Sequence, residues 1–297
     1  MGKFRECRRI SEQAKSGNSL NLRRPNAFLA AVAGVFGLGL SYLYIGRGRL
    51  AFVPFIAVFG TVAVAGWTRL IVEPAGLYIS YFFALLAWFV SIIHPTIVAY
   101  KLDELAARSY NRGWVYLLWI VSSGLIGSYV AENRASFFGF EPFRIPAGAM
   151  APTVQQNDLI MADTWYFNHA TPKIDELIIF DIPDDPGTKY LKRVVGLPGD
   201  TIEIRDDVLI RNGQPIAEEY IQLGESAGRV LRNFGPVEIP IDHYFVLGDN
   251  RHRSKDSWFI GPIHEDLLHG RVEYRWFAWD DGVSWSRFPT KLTPDEN

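Results

Sequence analysis

From residue 27 to residue 131 the chain is a succession of apolar runs, at 27–45, 51–72, 78–100 and 114–131, separated by short polar breaks. Each run is close to the ~20 residues that a helix needs to cross ~30 Å of hydrocarbon. Backbone in lipid must satisfy its own hydrogen bonds, so runs of this kind are confined to helices. The expectation is a membrane region over 26–131 with about four transmembrane helices. The first run is the least regular: AGVFGLGLSYLYIGRGRLAF is glycine-rich and suggests a tight helical hairpin turning at Tyr44-Ile45-Gly46, with Arg47 and Arg49 at the membrane surface. Pro95, next to His94 in the third run, is placed to kink its helix. His94 reads as a packed or capped residue before it reads as a proton relay. Trp67, Trp88, Trp114 and Trp119 fall near or within the runs, as interfacial or packing aromatics do.

The rest of the chain differs in kind. A hydrophobic fraction of 48% over 297 residues averages this apolar region with residues 132–297, which hold most of the acids and read as a globular domain. A net charge of -2 gives no ground for a nucleic-acid partner. Cys7 is the single cysteine, which excludes an intrachain disulfide and any C-x-x-C metal or redox site. His264 and His269 are five apart, off the spacing that puts two ligands on one helical face, so no metal is expected. A channel or transporter has little support, because the runs hold few ionisable residues besides His94.

Residues 1–25 carry Lys3, Arg5, Arg8, Arg9, Lys15, Arg23 and Arg24 and no apolar run, so they read as a basic tail at a membrane surface. A cleaved signal peptide fits poorly, since the apolar character returns several times. Lys/Arg asymmetry bears on orientation. If all four runs cross and the tail is cytoplasmic, the C-terminal domain is cytoplasmic too. If Arg47, Arg49, Lys101, Arg108 and Arg112 mark the cytoplasmic side, the domain lies outside and so does the tail. A re-entrant or interfacial run gives an inside tail with an outside domain. The sequence leaves the three arrangements open.

After residue 132 the pattern becomes short β-branched and aromatic runs bounded by Gly, Pro and Asp, at 159–162, 177–182, 189–196, 201–210, 229–234, 243–248 and 271–278. This spacing predicts a mainly antiparallel β domain. DDVLIRNGQPI predicts a hairpin turning at Asn212-Gly213.

Four blocks in this half resemble, in order, the type I signal peptidase family, membrane-bound serine endopeptidases with a Ser/Lys dyad. PAGAMAPTV at 146–154 is similar to P-S-G-S-M-x-P-T-L. KIDELIIFDIP corresponds to a strand that usually begins Gly-Asp, where this chain has Ile174-Asp175. YLKRVVGLPGDTIEI matches nearly residue for residue, and VLGDNRHRSKDSWFIGPI matches except for Trp258, where an Arg is expected. HGRVEYRWFAW fits the closing strand, so the resemblance covers about 140–280. Four blocks in series make a chance match remote.

The resemblance implies a multi-span α-helical membrane region followed by a mainly antiparallel β domain. It also implies residence in the bacterial inner membrane with the β domain on the outer side. The partners it implies are the signal peptides of secretory preproteins and the lipid bilayer, and the family reaction is cleavage after small residues without a cofactor. Lys192 takes the position of the general base, which burial must make neutral near pH 7 before it can activate a hydroxyl. Read alone, Lys192 would be an outward-facing strand lysine. Arg193 alternates to the other face and reads as solvated or paired. Ser254 and Asp256 take support positions, the serine bonding near the lysine and the aspartate pairing with Arg or Lys groups. Asp249, Asn250 and Arg251 take turn and scaffold positions, although composition alone makes Asp249 a solvated turn acid. Ile145, Pro146 and Met150 fall where substrate binds, with an extended peptide pairing along 145–149.

The nucleophile itself is missing. Ala147 stands at the position that supplies an oxyanion-hole hydroxyl, and Ala149 at that of the attacking serine. A methyl group forms no acyl-enzyme, so the chain is expected to bind and not cut. Thr153 and Ser254 are the nearest hydroxyls by motif, but both already occupy other family positions. The two alanines fit a signal-peptide-binding or quality-control pseudo-peptidase. They equally fit a replacement that traps substrate or prevents self-cleavage. Trp276, Trp279 and Trp285 read as core aromatics or as an apolar surface at the membrane interface.

Overall fold

A computed structural model describes residues 22–106, 112–183, 185–221, 232–278, 284 and 290–292. The chain divides into two compact units. One holds the residues up to Val64 together with Tyr78–Asn133, and the other holds Ala65–Leu77 together with the chain from Arg134 onward.

In the first unit, helix α1 (Ala27–Phe36) begins at Asn26, whose side chain accepts from the Phe28 N–H at 2.8 Å. It stops at Gly37, and α2 (Leu40–Tyr44) follows after Gly39, which has φ 82°. A Cβ at Gly39 would stand 2.8 Å from the Ala51 carbonyl carbon, so the close return of the chain requires glycine there. The first apolar run is therefore two helices of 10 and 5 residues, both too short to cross a bilayer. Leu40, Leu43 and Ile45 are buried with Ala30, Ala51 and Ala99. The other three runs become α3 (Phe52–Trp67), α4 (Pro74–Lys101) and α5 (Gly113–Glu132). With the 3-10 turn that leads into α3, Gly48–Trp67, Pro74–Lys101 and Gly113–Glu132 are each long and apolar enough to span. Helix α4 runs through Pro95, and His94 is packed, with Nδ1 3.0 Å from the Tyr42 hydroxyl. Strand β1 (Leu22–Arg23) pairs antiparallel with β2 (Leu105–Ala106), Leu22 opposite Ala106, in the stretch between α4 and α5.

In the second unit, α6 (Arg134–Phe138) leads into β3 (Phe140–Arg144). There follow β4 (Leu159–Asp163), β5 (Leu177–Ile182), β6 (Asp185–Gly196), β7 (Thr201–Arg205), β8 (Val208–Arg211) and β9 (Gln214–Pro215). The series closes with β10 (Phe234–Glu238), β11 (His243–Leu247), α7 (Ser257–Ile260), β12 (Ile263–His264), β13 (Leu268–Phe277) and β14 (Thr290–Lys291). The larger sheet runs β12-β11-β6-β5-β13-β4-β3, with β14 on β13, and the smaller runs β10-β7-β8-β9. Every pairing is antiparallel. Ile145, Met150, Ile160, Leu177, Ile179 and Leu191 pack one core, and Val195, Ile202, Leu209, Phe245 and Leu247 pack a second.

Two strand expectations change. The run 201–210 is two strands, because Asp206 and Asp207 both adopt positive φ (51° and 67°) and close a turn. Asn212 and Gly213 (53° and 76°) make the expected second turn, with Arg211 opposite Gln214. Residues 229–231 of the run 229–234 lie outside the described residues, and the strand in that region is β10. Strand β3 carries no alternating signal in the sequence and forms by pairing with β4 along its length.

The segment 65–77 packs with the β elements of its own unit. Trp67 Nε1 donates to the Phe137 carbonyl at 3.1 Å, and Trp276 Nε1 donates to the Val72 carbonyl at 3.2 Å. Arg69 Nε lies 3.6 Å from an Asp163 carboxylate oxygen and its guanidinium also meets His169. Trp276 is thus a buried core aromatic, whereas Trp279 and Trp285 lie outside the described residues.

Candidate active site

The loop between β3 and β4 brings Ile145, Pro146, Ala147, Ala149 and Met150 to a cleft of about 350 Å³. Ile145 and Met150 anchor the loop in the core at 8% and 2% exposure, while Pro146 and Ala147 between them are exposed. The Ile145 N–H donates to the Asp158 carbonyl at 2.9 Å, and its carbonyl accepts from the Asn157 N–H at 2.7 Å. The Ile145 N–H and one lone pair of its carbonyl are therefore used within the loop. Across the cleft, β6 pairs with β11 only from Arg193 onward, so among the described residues Lys189–Leu191 have β5 on one side and no strand on the other.

Ala149 and Lys192 line the same cleft. Lys192 is 3% exposed, and its Nζ donates to the Leu191 carbonyl at 3.0 Å and sits 4.8 Å over the Tyr190 ring. Burial pushes its ammonium down to about 8, against the opposite pull of the Asp256 and Asp249 carboxylates. The outward-facing reading of this lysine fails because β6 is covered on the face it presents.

Arg193, on the other face, is paired rather than solvated. Its Nε and Nη2 donate to the two oxygens of Asp249 at 2.9 and 2.7 Å, and its Nη1 donates to the Asp175 carbonyl at 2.9 Å. Asp249 is 1% exposed and is a buried ion-pair partner rather than a solvated turn acid. Burial works against the Arg193 charge, yet the Asp249 carboxylate holds its pKa above the usual value. Asn250 fastens the nucleophile-position loop: its Nδ2 donates to the Gly148 carbonyl at 3.0 Å and its N–H to the Ala149 carbonyl at 3.1 Å. Arg251 is buried, donates from Nε to the Gly248 carbonyl at 3.1 Å, and forms an ion pair with Glu218.

Ser254 is buried, and its Oγ has no hydrogen-bond partner among the described residues. It lies against Gly248: a Cβ there would stand 2.6 Å from the Ala149 carbonyl oxygen and closer still to Ser254 Oγ. Asp256 is fully buried. It accepts from the Gly248 N–H at 3.1 Å and caps α7 through the Trp258 N–H at 3.3 Å, so its hydrogen bonds go to main chain rather than to Arg or Lys.

Sequence reading missed Glu218 and Tyr220. The Arg193 guanidinium lies 3.9 Å over the Tyr220 ring, whose hydroxyl donates to Glu218 at 2.7 Å, and burial with Glu218 raises the Tyr220 pKa. The available signal was an acid-aromatic cluster, Glu218-Glu219-Tyr220, in a stretch with no regular structure. His264 and His269 do not converge: His269 Nε2 is 2.6 Å from Glu141, and His264 lies beside Asp266.

The described residues thus bring a buried lysine and an exposed loop into one cleft of an antiparallel β domain that follows apolar helices. The family model described as signal peptidase, peptidase S26, matches residues 118–279, more than half of the chain. A probable signal peptidase I-1 of Synechocystis sp. is 33% identical over 148 residues, covering 48% of this chain and 73% of that one. Signal peptidase I of Bacillus licheniformis is 33% identical over 180 residues, covering 59% of this chain and 95% of its own. A crystal structure of a signal peptidase I from Enterococcus faecalis is 31% identical and covers 34% of this chain and 97% of that one, at a TM-score of 0.32. The chain belongs to the signal peptidase I family, whose reaction is removal of signal peptides.

Proposed function

We propose that this chain binds the signal peptides of secretory preproteins at the outer face of a bacterial inner membrane and, with Ala149 at the nucleophile position, does not cut them. The observation that carries this reading is Lys192, buried and lowered to about 8, in one cleft with a methyl group where its family partner has a hydroxyl. An extended peptide enters between Pro146–Ala147 and the free side of Lys189–Leu191, taking main-chain hydrogen bonds from both. The cleft is otherwise equipped for acyl transfer. A serine at 149 would attack the carbonyl carbon as its proton passes to neutral Lys192, the oxyanion would take the 149 N–H, and the lysine would return the proton to the leaving amine.

Three observations support the orientation. Helices of spanning length run Gly48–Trp67, Pro74–Lys101 and Gly113–Glu132. The β1–β2 ladder puts the end of the tail beside the α4–α5 connection, while 65–77 belongs with the β domain. Three crossings then leave Arg23, Arg24, Arg47, Arg49, Lys101 and Arg112 on one side, with only Arg69 in the short loop of the other. The basic side is cytoplasmic. The first run, too short to span, is the re-entrant element that reconciles an inside tail with an outside domain.

The test is preprotein cleavage by the purified chain and by Ala149→Ser. The chain as written cuts at a rate on the order of 10⁶-fold below an intact dyad. Ala149→Ser gains cleavage, Ala147→Ser adds up to ~10²-fold to it, and Lys192→Ala removes it. Lys192-dependent cleavage by the unaltered chain overturns the reading.

A further inference from the structure

The cleft has a charge character that a neutral peptide bond does not explain. Arg144, Lys189, Lys192, Arg253 and Lys255 line it, and among its lining residues there is no acid. Lys189 is balanced by Asp181 at 2.8 Å. The side chains of Arg144, Arg253 and Lys255 form no ion pair with any described residue. The two carboxylates nearest Lys192 are already committed, Asp249 to Arg193 and Asp256 to the Gly248 and Trp258 N–H groups. Lys192 gives one of its three N–H bonds to the Leu191 carbonyl, which leaves two for a ligand. The Ala149 N–H has no acceptor among the described residues.

We infer that the cleft is a receptor for the free C-terminal carboxylate of a peptide ending in a small residue, the product side of a cleaved signal peptide. This rests on the reading of the cleft as a signal-peptide site. One carboxylate oxygen takes the Ala149 N–H, the other takes Lys192, and Arg253 and Lys255 supply the surrounding positive field. The uncut chain presents a neutral carbonyl at the same point and gains only the first of these contacts.

The experiment is fluorescence anisotropy on the full chain in detergent micelles with four peptides of one signal-peptide sequence ending Ala-Gln-Ala. One is the free acid and one the carboxamide. Two are extended past the terminal alanine, by Gly-Gly-Ser-Gly or by Asp-Gly-Ser-Gly. The free acid binds on the order of tenfold tighter than the carboxamide, and the preference shrinks toward unity in Arg253→Gln/Lys255→Gln and in Lys192→Met. Equal binding of acid and carboxamide overturns the inference, as does an aspartate-extended peptide that binds as tightly as the free acid, since the charge is then read from a side chain. Failure of the neutral extended peptide alone overturns the signal-peptide reading and leaves the carboxylate preference standing. Failure of all four overturns both.

Discussion

Arg193 and Asp249, 56 residues apart, meet through two hydrogen bonds of 2.9 and 2.7 Å with both side chains at 2% exposure or less. The pair joins the strand that carries Lys192 to the turn whose next residue, Asn250, holds Gly148 and Ala149. The base position and the nucleophile position are thus set against each other by a buried ion pair that touches neither.

Removing one partner strands the other charge. Asp249→Ala is expected to cost about 3–5 kcal/mol, because the Arg193 guanidinium stays buried without its carboxylate. Chemical denaturation of the detergent-solubilised chain measures this, and a change under 1 kcal/mol contradicts the proposed link.

Lys192 gives two pH signatures. In the Ala149→Ser variant the base must be neutral, so kcat/KM rises with pH and levels off above about 8. At pH 7 roughly a tenth of the lysine is neutral. A profile flat from pH 6 to 9 excludes Lys192 as the base.

Stability moves with the same group. Its folded pKa of about 8 lies below the ordinary 10.5, so between those values the unfolded chain holds the extra proton and stability rises with pH. Lys192→Met should therefore stabilise the protein at pH 7 by on the order of 3 kcal/mol, with the gain gone above pH 10.5. Denaturation at the two pH values tests the sign.

Gly248 leaves no room for a Cβ between Ser254 and the Ala149 carbonyl. In the Ala149→Ser background, Gly248→Ala should push the loop away from Lys192 and lower kcat by roughly 10²-fold, since displacements near 1 Å have that effect. Unchanged kcat shows that the loop position is not held there.

The single native cysteine is a ready topology probe. Cys7 should react with a membrane-impermeant maleimide only after permeabilisation of cells, whereas Thr68→Cys in a Cys7→Ser background should react in intact cells. The opposite pattern reverses the proposed orientation.

Much of this protein is legible in its sequence, for local reasons. Three apolar runs become helices long and apolar enough to span because length and hydropathy are local properties, and the Asn212-Gly213 turn follows from residues that accept positive φ. The order of the four blocks gives the family, and Ala149, at the position where the family pattern has its serine, is the residue on which the proposed lack of cleavage rests. Tertiary structure decided what depends on residues distant in sequence. The first run is cut between Gly37 and Gly39, and at Gly39 Ala51 comes too close for a side chain, an approach that no hydropathy average registers. The packing of 65–77 on its own unit, the burial of Asp249 and the cluster of Glu218 and Tyr220 around Arg193 and Arg251 all depend on contacts between residues far apart in sequence. A short polar stretch reads the same in solvent or in a core, and only the fold determines which surroundings it has.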